Sequence, residues 1–173
     1  VALVTGGRVK IGYQAVIKLL RCGASVIVTT RFPRDSSVRF AAEPDFKEWS
    51  GRLEIFGLDL RHTPSVEAFC QHVLSTRSRL DIIVNNACQT VRRPPDFYKH
   101  MMERELGPLS HLPHEASQLL GAYEGLRSTD LLPDSSTRAA QGAVAAMPGI
   151  AHSAWLSQAR LLPEELSNGK HLF

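Results

Sequence analysis

The apolar positions of the amino-terminal half change period several times, and each change marks an element. Val1 to Val4 are apolar without a break, which predicts a short buried strand. A loop with glycines at 6, 7 and 12 follows. From Tyr13 to Cys22 the residues Ala15, Val16, Leu19 and Leu20 recur at the spacing of a helix with one buried face, and Gly23 ends it. Ser25 to Thr30 is rich in β-branched side chains and reads as a second strand, buried on both faces. Ser36 to Trp49 reads as helical, with Pro44 breaking or restarting the helix. Leu53 to Leu60 predicts a third strand. Pro64 then sits in a first helical turn that Thr63 can cap, and Val66, Phe69, Cys70, Val73 and Leu74 form a helical stripe. Leu80 to Val84 is a fourth strand and runs into Asn85, Asn86 and Ala87.

Strands alternating with helices in this way predict an α/β fold, a doubly wound parallel sheet in the Rossmann-like order 3-2-1-4 with helices on both sides. Each passage from strand through helix to strand is a right-handed crossover. Such sheets take ligands at the carboxyl ends of their strands, where Arg8, Lys10, Arg31, Asp59 and Asn85 all fall. The first turn carries the most chemistry. Gly6 permits a tight bend, Gly12 lets the helix approach the strand, and the unpaired amides and dipole of that helix attract an anion.

Residues 94–173 differ in character. Pro, Ser, Gly and Ala accumulate there, and no β-branched segment rivals Ile82 to Val84. Short helices are expected at Phe97 to Glu105, His114 to Leu126, Thr137 to Met147 and Ser153 to Leu161. The expected organisation is an incomplete sheet domain over 1–93 and an irregular, partly helical arm of low order over 94–173. A helical lid over a ligand and a weakly ordered excursion both fit the arm.

A chain of 173 residues with 43% hydrophobic content can bury one sizeable core. It holds no run of 18 apolar residues, secretory signal or glycosylation acceptor, so a soluble, cytoplasmic protein without membrane contact is expected. Cys22, Cys70 and Cys88 fit reduced thiols better than a disulfide frame or a zinc site. The net charge of +3 allows an anionic ligand and does not argue for nucleic acid. No metal is expected: Pro113 disrupts the turn that would align His111, His114 and Glu115. Arg92 and Arg93, beside Gln89 and Thr90, either touch a phosphate or substrate or cap an exposed loop. An opening Val placed directly in a strand reads as the start of a piece of a longer protein.

Three motifs stand in register along the sheet. Thr5-Gly6-Gly7-Arg8-Val9-Lys10-Ile11-Gly12 follows the first strand, Asp59-Leu60 follows the third, and Leu80-Asp81-Ile82-Ile83-Val84-Asn85-Asn86-Ala87 ends the fourth. In order and spacing they resemble the amino-terminal, cofactor-binding half of the short-chain dehydrogenase/reductase family. The resemblance implies a nicotinamide dinucleotide bound by residues 1–93. It would place the pyrophosphate on the glycine turn with Gly6, Arg8, Lys10, Ile11 and Gly12. Asp59 and the Leu60 amide would read the adenine edge, and Asn85 with Ala87 would lie along the adenosine ribose. Lys10 stands where the family usually has its middle glycine, so either its ammonium reaches the phosphate or the loop is displaced. Cys88 replaces the glycine that usually ends the Asn-Asn-Ala motif, and a buried, inert thiol is expected there.

An acidic residue after the second strand would accept bonds from the ribose hydroxyls, but this chain has Thr30-Arg31 with Arg34 close by. Guanidinium groups match a 2′-phosphate and Arg8 adds positive charge, so NADP is expected over NAD. The Tyr-x-x-x-Lys pair of the family, which transfers the proton, is missing. Ser110, Tyr123 and Arg127 come nearest, with arginine for lysine. Only 22 residues separate Ala87 from Ser110, where a helix and a further strand would take roughly forty to fifty. Spacing therefore argues against this set and makes Tyr123 an ordinary helix-face aromatic. The resemblance implies the NADP-binding part of an oxidoreductase acting on a small carbonyl or alcohol, inactive as this chain alone, and a homo-oligomer in the parent protein. The other readings are a dinucleotide-binding module or truncated product without catalysis, and a structural protein that keeps the fold but not the ligand.

Overall fold

In the computed structural model, which describes residues 1–88, 95–129 and 152–158, the four apolar runs form one parallel sheet. β1 (Ala2–Thr5) lies between β2 (Val26–Thr30) and β4 (Ile82–Val84), and β3 (Leu53–Gly57) pairs with the far side of β2, giving the order 3-2-1-4. Val4 stands opposite Val28 and Val84, and Val28 opposite Ile55. Partners in a parallel ladder project to the same side, so Ala2, Val4, Val26, Val28, Leu53 and Ile55 share one face. Thr5, Thr29 and Phe56 share the other.

α1 (Lys10–Arg21) and α2 (Pro33–Ala41) cover the first face, burying Val16, Ile17, Leu20 and Phe40 in the core. α3 (Phe46–Trp49) adds Trp49, whose ring meets Phe40 edge-on at 6.4 Å. α4 (Thr63–Thr76) lies on the opposite face, where Phe69 meets Phe56 at 5.2 Å. Each such side chain contributes about 1.5–3 kcal/mol on burial.

Several boundaries differ from the sequence expectation for local reasons. α1 starts at Lys10 rather than Tyr13, and α2 at Pro33, whose fixed φ suits a first turn. The helical stretch does break before α3, around Pro44. β3 stops at Gly57 because the chain turns at Asp59, whose carbonyl accepts the His62 amide at 3.0 Å. His62, not Thr63, caps α4: its Nδ1 accepts the Ser65 amide at 3.3 Å.

The arm supplies a 3₁₀ turn (Pro95–Tyr98), α5 (Lys99–Leu106), a second 3₁₀ turn (Leu109–His111), α6 (His114–Gln118), α7 (Gly121–Thr129) and α8 (Ser153–Gln158). Leu119, Leu120 and Tyr123 join the core of the sheet, and the Leu119 carbonyl accepts the Ile55 amide at 2.9 Å. That bond covers the outer edge of β3, which would otherwise offer unpaired backbone groups. Met101 of α5 and Ala154 of α8 bury Phe32 in a second, smaller cluster. The helix expected over Thr137 to Met147 and the residues Gln89, Thr90, Arg92 and Arg93 lie outside the described residues. Among the described residues no helix is long and apolar enough to cross a membrane.

Candidate functional site

The bend after β1 is built from backbone contacts that exclude side chains. Gly6 has φ +67°, and a Cβ there would stand 2.9 Å from the Ala87 Cα. A Cβ on Gly12 would stand 2.6 Å from the Gly6 carbonyl oxygen and strike the Asn86 amide. β1, α1 and the end of β4 therefore meet backbone to backbone. Asn86 ties them: its side-chain amide donates to the carbonyls of Thr5 and Gly6, each at 3.1 Å, while the Ala87 amide donates to Thr5 Oγ1 at 3.0 Å. Sequence reasoning missed Asn86, whose one signal was its place between Asn85 and Ala87. Asn85 itself is exposed beside it. Cys88, expected to be buried, is exposed, because it lies past the end of β4 at Val84.

α1 has no side-chain cap and no acidic residue in its first turn, so no side chain of its own neutralises its leading amides and positive dipole end. That arrangement suits an anion. Lys10 has φ +55°, the only non-glycine residue among those described with positive φ. The bend keeps its close contacts because the lysine takes up a glycine-like backbone and sends its side chain into solvent. Ile11 beside it is 79% exposed.

At the end of β2 the Arg31 guanidinium lies 4.8 Å from the Tyr98 ring and donates to its hydroxyl at 3.1 Å. Arg8 donates to Asp35 at 2.7 Å, and Arg39 (2.7 Å) and Arg104 (3.1 Å) share the same carboxylate. Burial pushes the Asp35 carboxyl up, but bonds from Arg39 and Arg8 outweigh it and hold the group below the ordinary carboxylate range. Arg34 does not face the site. The start of α2 at Pro33 turns it under α5, where its guanidinium is buried and holds the Gly107 carbonyl and, at 3.4 Å, Glu124. The amino end of α2 is filled by Glu105, which accepts the amides of Asp35 at 2.8 Å and Arg34 at 3.2 Å. Burial pushes its pKa up to about 7. A groove of about 760 Å³ runs beside this cluster, lined in part by Arg8, Val9, Arg39, Met101 and Arg104.

Beyond β3, Asp59 is 2% exposed and binds the Arg61 guanidinium at 2.6 Å; Leu60 is half exposed. Tyr123 is 1% exposed beneath Gly57, with its hydroxyl 3.5 Å from Ser153 Oγ. Burial raises its pKa. Arg127 lies 5.6 Å from that ring and pairs with Glu124 at 2.7 Å, whereas Ser110 is exposed in a separate turn.

Comparison with known proteins decides the family. Residues 1–106 match the short chain dehydrogenase family. The chain belongs to that family. It is 35% identical over 119 residues to dehydrogenase/reductase SDR family member 13 of Bos taurus, covering 64% of this chain and 30% of the bovine protein. It is 34% identical over 96 residues to retinol dehydrogenase 14 of Mus musculus, covering 49% and 28%. An uncharacterized protein of Acanthamoeba polyphaga mimivirus shares 39% identity over 95 residues, covering 52% and 20%. The chain thus spans less than a third of each of these relatives. No solved structure matches it.

Membership in the short-chain dehydrogenases implies a nicotinamide dinucleotide as cofactor, which when bound supplies or accepts a hydride. The bend is compatible with such a group: Gly6 and Gly12 let β1, α1 and the end of β4 pack together, and α1 starts beside them with no side-chain cap. For a short-chain dehydrogenase, the Ser110, Tyr123 and Arg127 set is not brought together. A tyrosine that exchanges protons with substrate needs access and a lowered pKa, and Tyr123 has neither.

Proposed function

We propose that this chain is the dinucleotide-binding part of a short-chain oxidoreductase that transfers hydride between NADP(H) and a small carbonyl or alcohol substrate. The observation that carries the reading is the backbone junction of Gly6, Gly12 and Asn86 at the uncapped start of α1. Gly6, Arg8, Lys10, Ile11 and Gly12 would hold the pyrophosphate, Asn85 and Ala87 would flank the adenosine ribose, and Asp59 with Leu60 would meet the adenine. NADP rather than NAD is supported by Arg31, which stands at the end of β2 where an acidic residue would favour ribose hydroxyls, and by Arg8, which also lies over the Phe32 ring and is shared with Asp35. Guanidinium groups pair with a phosphate monoester more strongly than with ribose hydroxyls.

Buried Tyr123 supports the proposal that this chain alone transfers no hydride, and favours a second reading as a module that binds the dinucleotide without catalysis. Three cysteines without a disulfide fit a cytoplasmic setting. Calorimetric titration of the chain with NADPH and with NADH tests the cofactor assignment. Tighter binding of NADPH is expected; equal affinities defeat the NADP preference, and binding of neither defeats the reading as a whole.

A further inference from the structure

The arm meets the sheet at the ends of β2 and β3, and there it engages polar groups that face the ligand side. Ser153 Oγ at the start of α8 donates to the Arg31 carbonyl at 3.0 Å. The Leu156 carbonyl of α8 accepts Arg61 at 2.9 Å, and that same guanidinium seals Asp59. Tyr98, in the turn before α5, takes the Arg31 side chain, and Glu105 of α5 takes the first amides of α2. Phe32, Met101 and Ala154 close over these contacts, with Ala154 fully buried. The ends of β1 and β4 are engaged differently. Gly6 bonds to Thr29, Asn86 to Thr5 and Gly6, and Ala87 to Thr5 within the sheet domain, and the arm reaches this end at Arg8, which donates to Met101 Sδ of α5 at 3.4 Å.

The site is therefore divided. Its pyrophosphate half, at β1 and β4, is close-packed through Gly6 and Gly12 and touches the arm at Arg8, whereas its adenosine half, at β2 and β3, is covered by α5 and α8. We infer that the described arm is an internal occupant of the adenosine half, so that a full dinucleotide binds only as α5 and α8 withdraw. This inference rests on the cofactor reading above. It differs from a lid in sign: a lid closes over bound ligand, whereas this arm leaves when ligand arrives. A ligand with the nicotinamide nucleotide but no adenosine would bind with the arm in place.

Hydrogen exchange of the full chain, read by mass spectrometry, tests the sign. With saturating NADPH, amides of residues 99–106 and 153–158 are expected to exchange at least tenfold faster while residues 6–12 become protected. Reduced nicotinamide mononucleotide is expected to leave 99–106 and 153–158 unchanged. Slower or unaltered exchange of those helices in a chain that binds NADPH overturns the inference and leaves the cofactor reading standing. Ala154→Arg supplies an independent measurement, because its side chain cannot fit between Phe32 and Met101. It is expected to tighten NADPH binding at least tenfold, and unchanged affinity in the folded variant counts against the arm. Should the variant fail to fold, the exchange experiment on the unaltered chain still decides. Binding of NADPH to neither protein refutes the cofactor reading and the occupant with it.

Discussion

At Lys10 the backbone requires what the side chain resists. Its φ of +55° lies in the left-handed region, where a Cβ crowds the following carbonyl. That crowding costs roughly 1–2 kcal/mol for an L-residue. Replacing the lysine by glycine removes it, while the added freedom of glycine in the unfolded chain offsets about 0.4–1 kcal/mol. Lys10→Gly is therefore expected to stabilise the chain by about 0.5–1 kcal/mol. For a protein of this size, 1 kcal/mol raises Tm by roughly 2–4 °C. The side chain is exposed, so its removal breaks no packing that could hide the gain.

Lys10→Ala is the matching control. It keeps the Cβ and the strain but deletes the ammonium, and no rise in Tm is expected. Thermal unfolding followed by circular dichroism in one buffer compares the three proteins. A glycine variant that melts with or below the unaltered chain refutes the strain argument. The pair also separates the roles of the lysine in binding. Weaker NADPH binding in the alanine variant than in the unaltered chain reports the ammonium on phosphate, and a difference between the alanine and glycine variants reports the backbone.

Gly12→Ala is expected to cost about 1–3 kcal/mol, because its Cβ would stand 2.6 Å from the Gly6 carbonyl oxygen and α1 would have to shift; a lowered urea midpoint and loss of NADPH binding check it. Asn86→Ala removes two bonds to the carbonyls of Thr5 and Gly6 and is expected to cost about 1–3 kcal/mol by the same measurement. Glu105 and His152 predict a pH effect that is masked in the unaltered chain. Burial raises Glu105 from 4.5 to about 7, so the native state holds its proton more tightly and stability falls between those values; burial lowers His152 from 6.5 to about 4, so stability rises across its own window. The two nearly cancel, and Glu105→Gln is expected to expose a rise of up to roughly 3 kcal/mol between pH 4 and 6.5, with a flat profile of urea midpoints refuting it.

What was legible in the sequence was local. Val26 to Thr30 declares a strand because β-branched residues without polar alternation suit a position buried on both faces. Gly6 and Gly12 declare the bend because their spacing matches a strand, turn and helix. The conformation of Lys10 was visible only as a departure from the glycine that the family places there. Asn86 carried no separate signal, since nothing in a pair of asparagines says which one turns inward. His62 was hidden by better caps beside it: Thr63 and Pro64 fit the start of a helix by type, yet the helix begins one residue after the histidine. Glu105 was out of reach altogether. It lies 70 residues from the amide it caps, and no periodicity records a pairing at that distance.

The arm's position follows from a requirement that any parallel sheet of this kind must meet. Its carboxyl ends and the amino ends of the following helices present amides and carbonyls that need partners once water is excluded. A bound dinucleotide can supply them with phosphate and ribose oxygens. In this chain the Glu105 carboxylate accepts amides of α2 and the Ser153 hydroxyl donates to the carbonyl after β2, while the Leu156 carbonyl accepts the Arg61 guanidinium beyond β3. Arm and ligand thus satisfy the same kinds of group, and exchange of one for the other changes the number of hydrogen bonds little. The affinity for NADPH then measures a difference between two well-partnered states. Lesions in the arm that spare the bend should tighten binding, while a lesion at Gly12, which damages the seat that only the ligand uses, should weaken it.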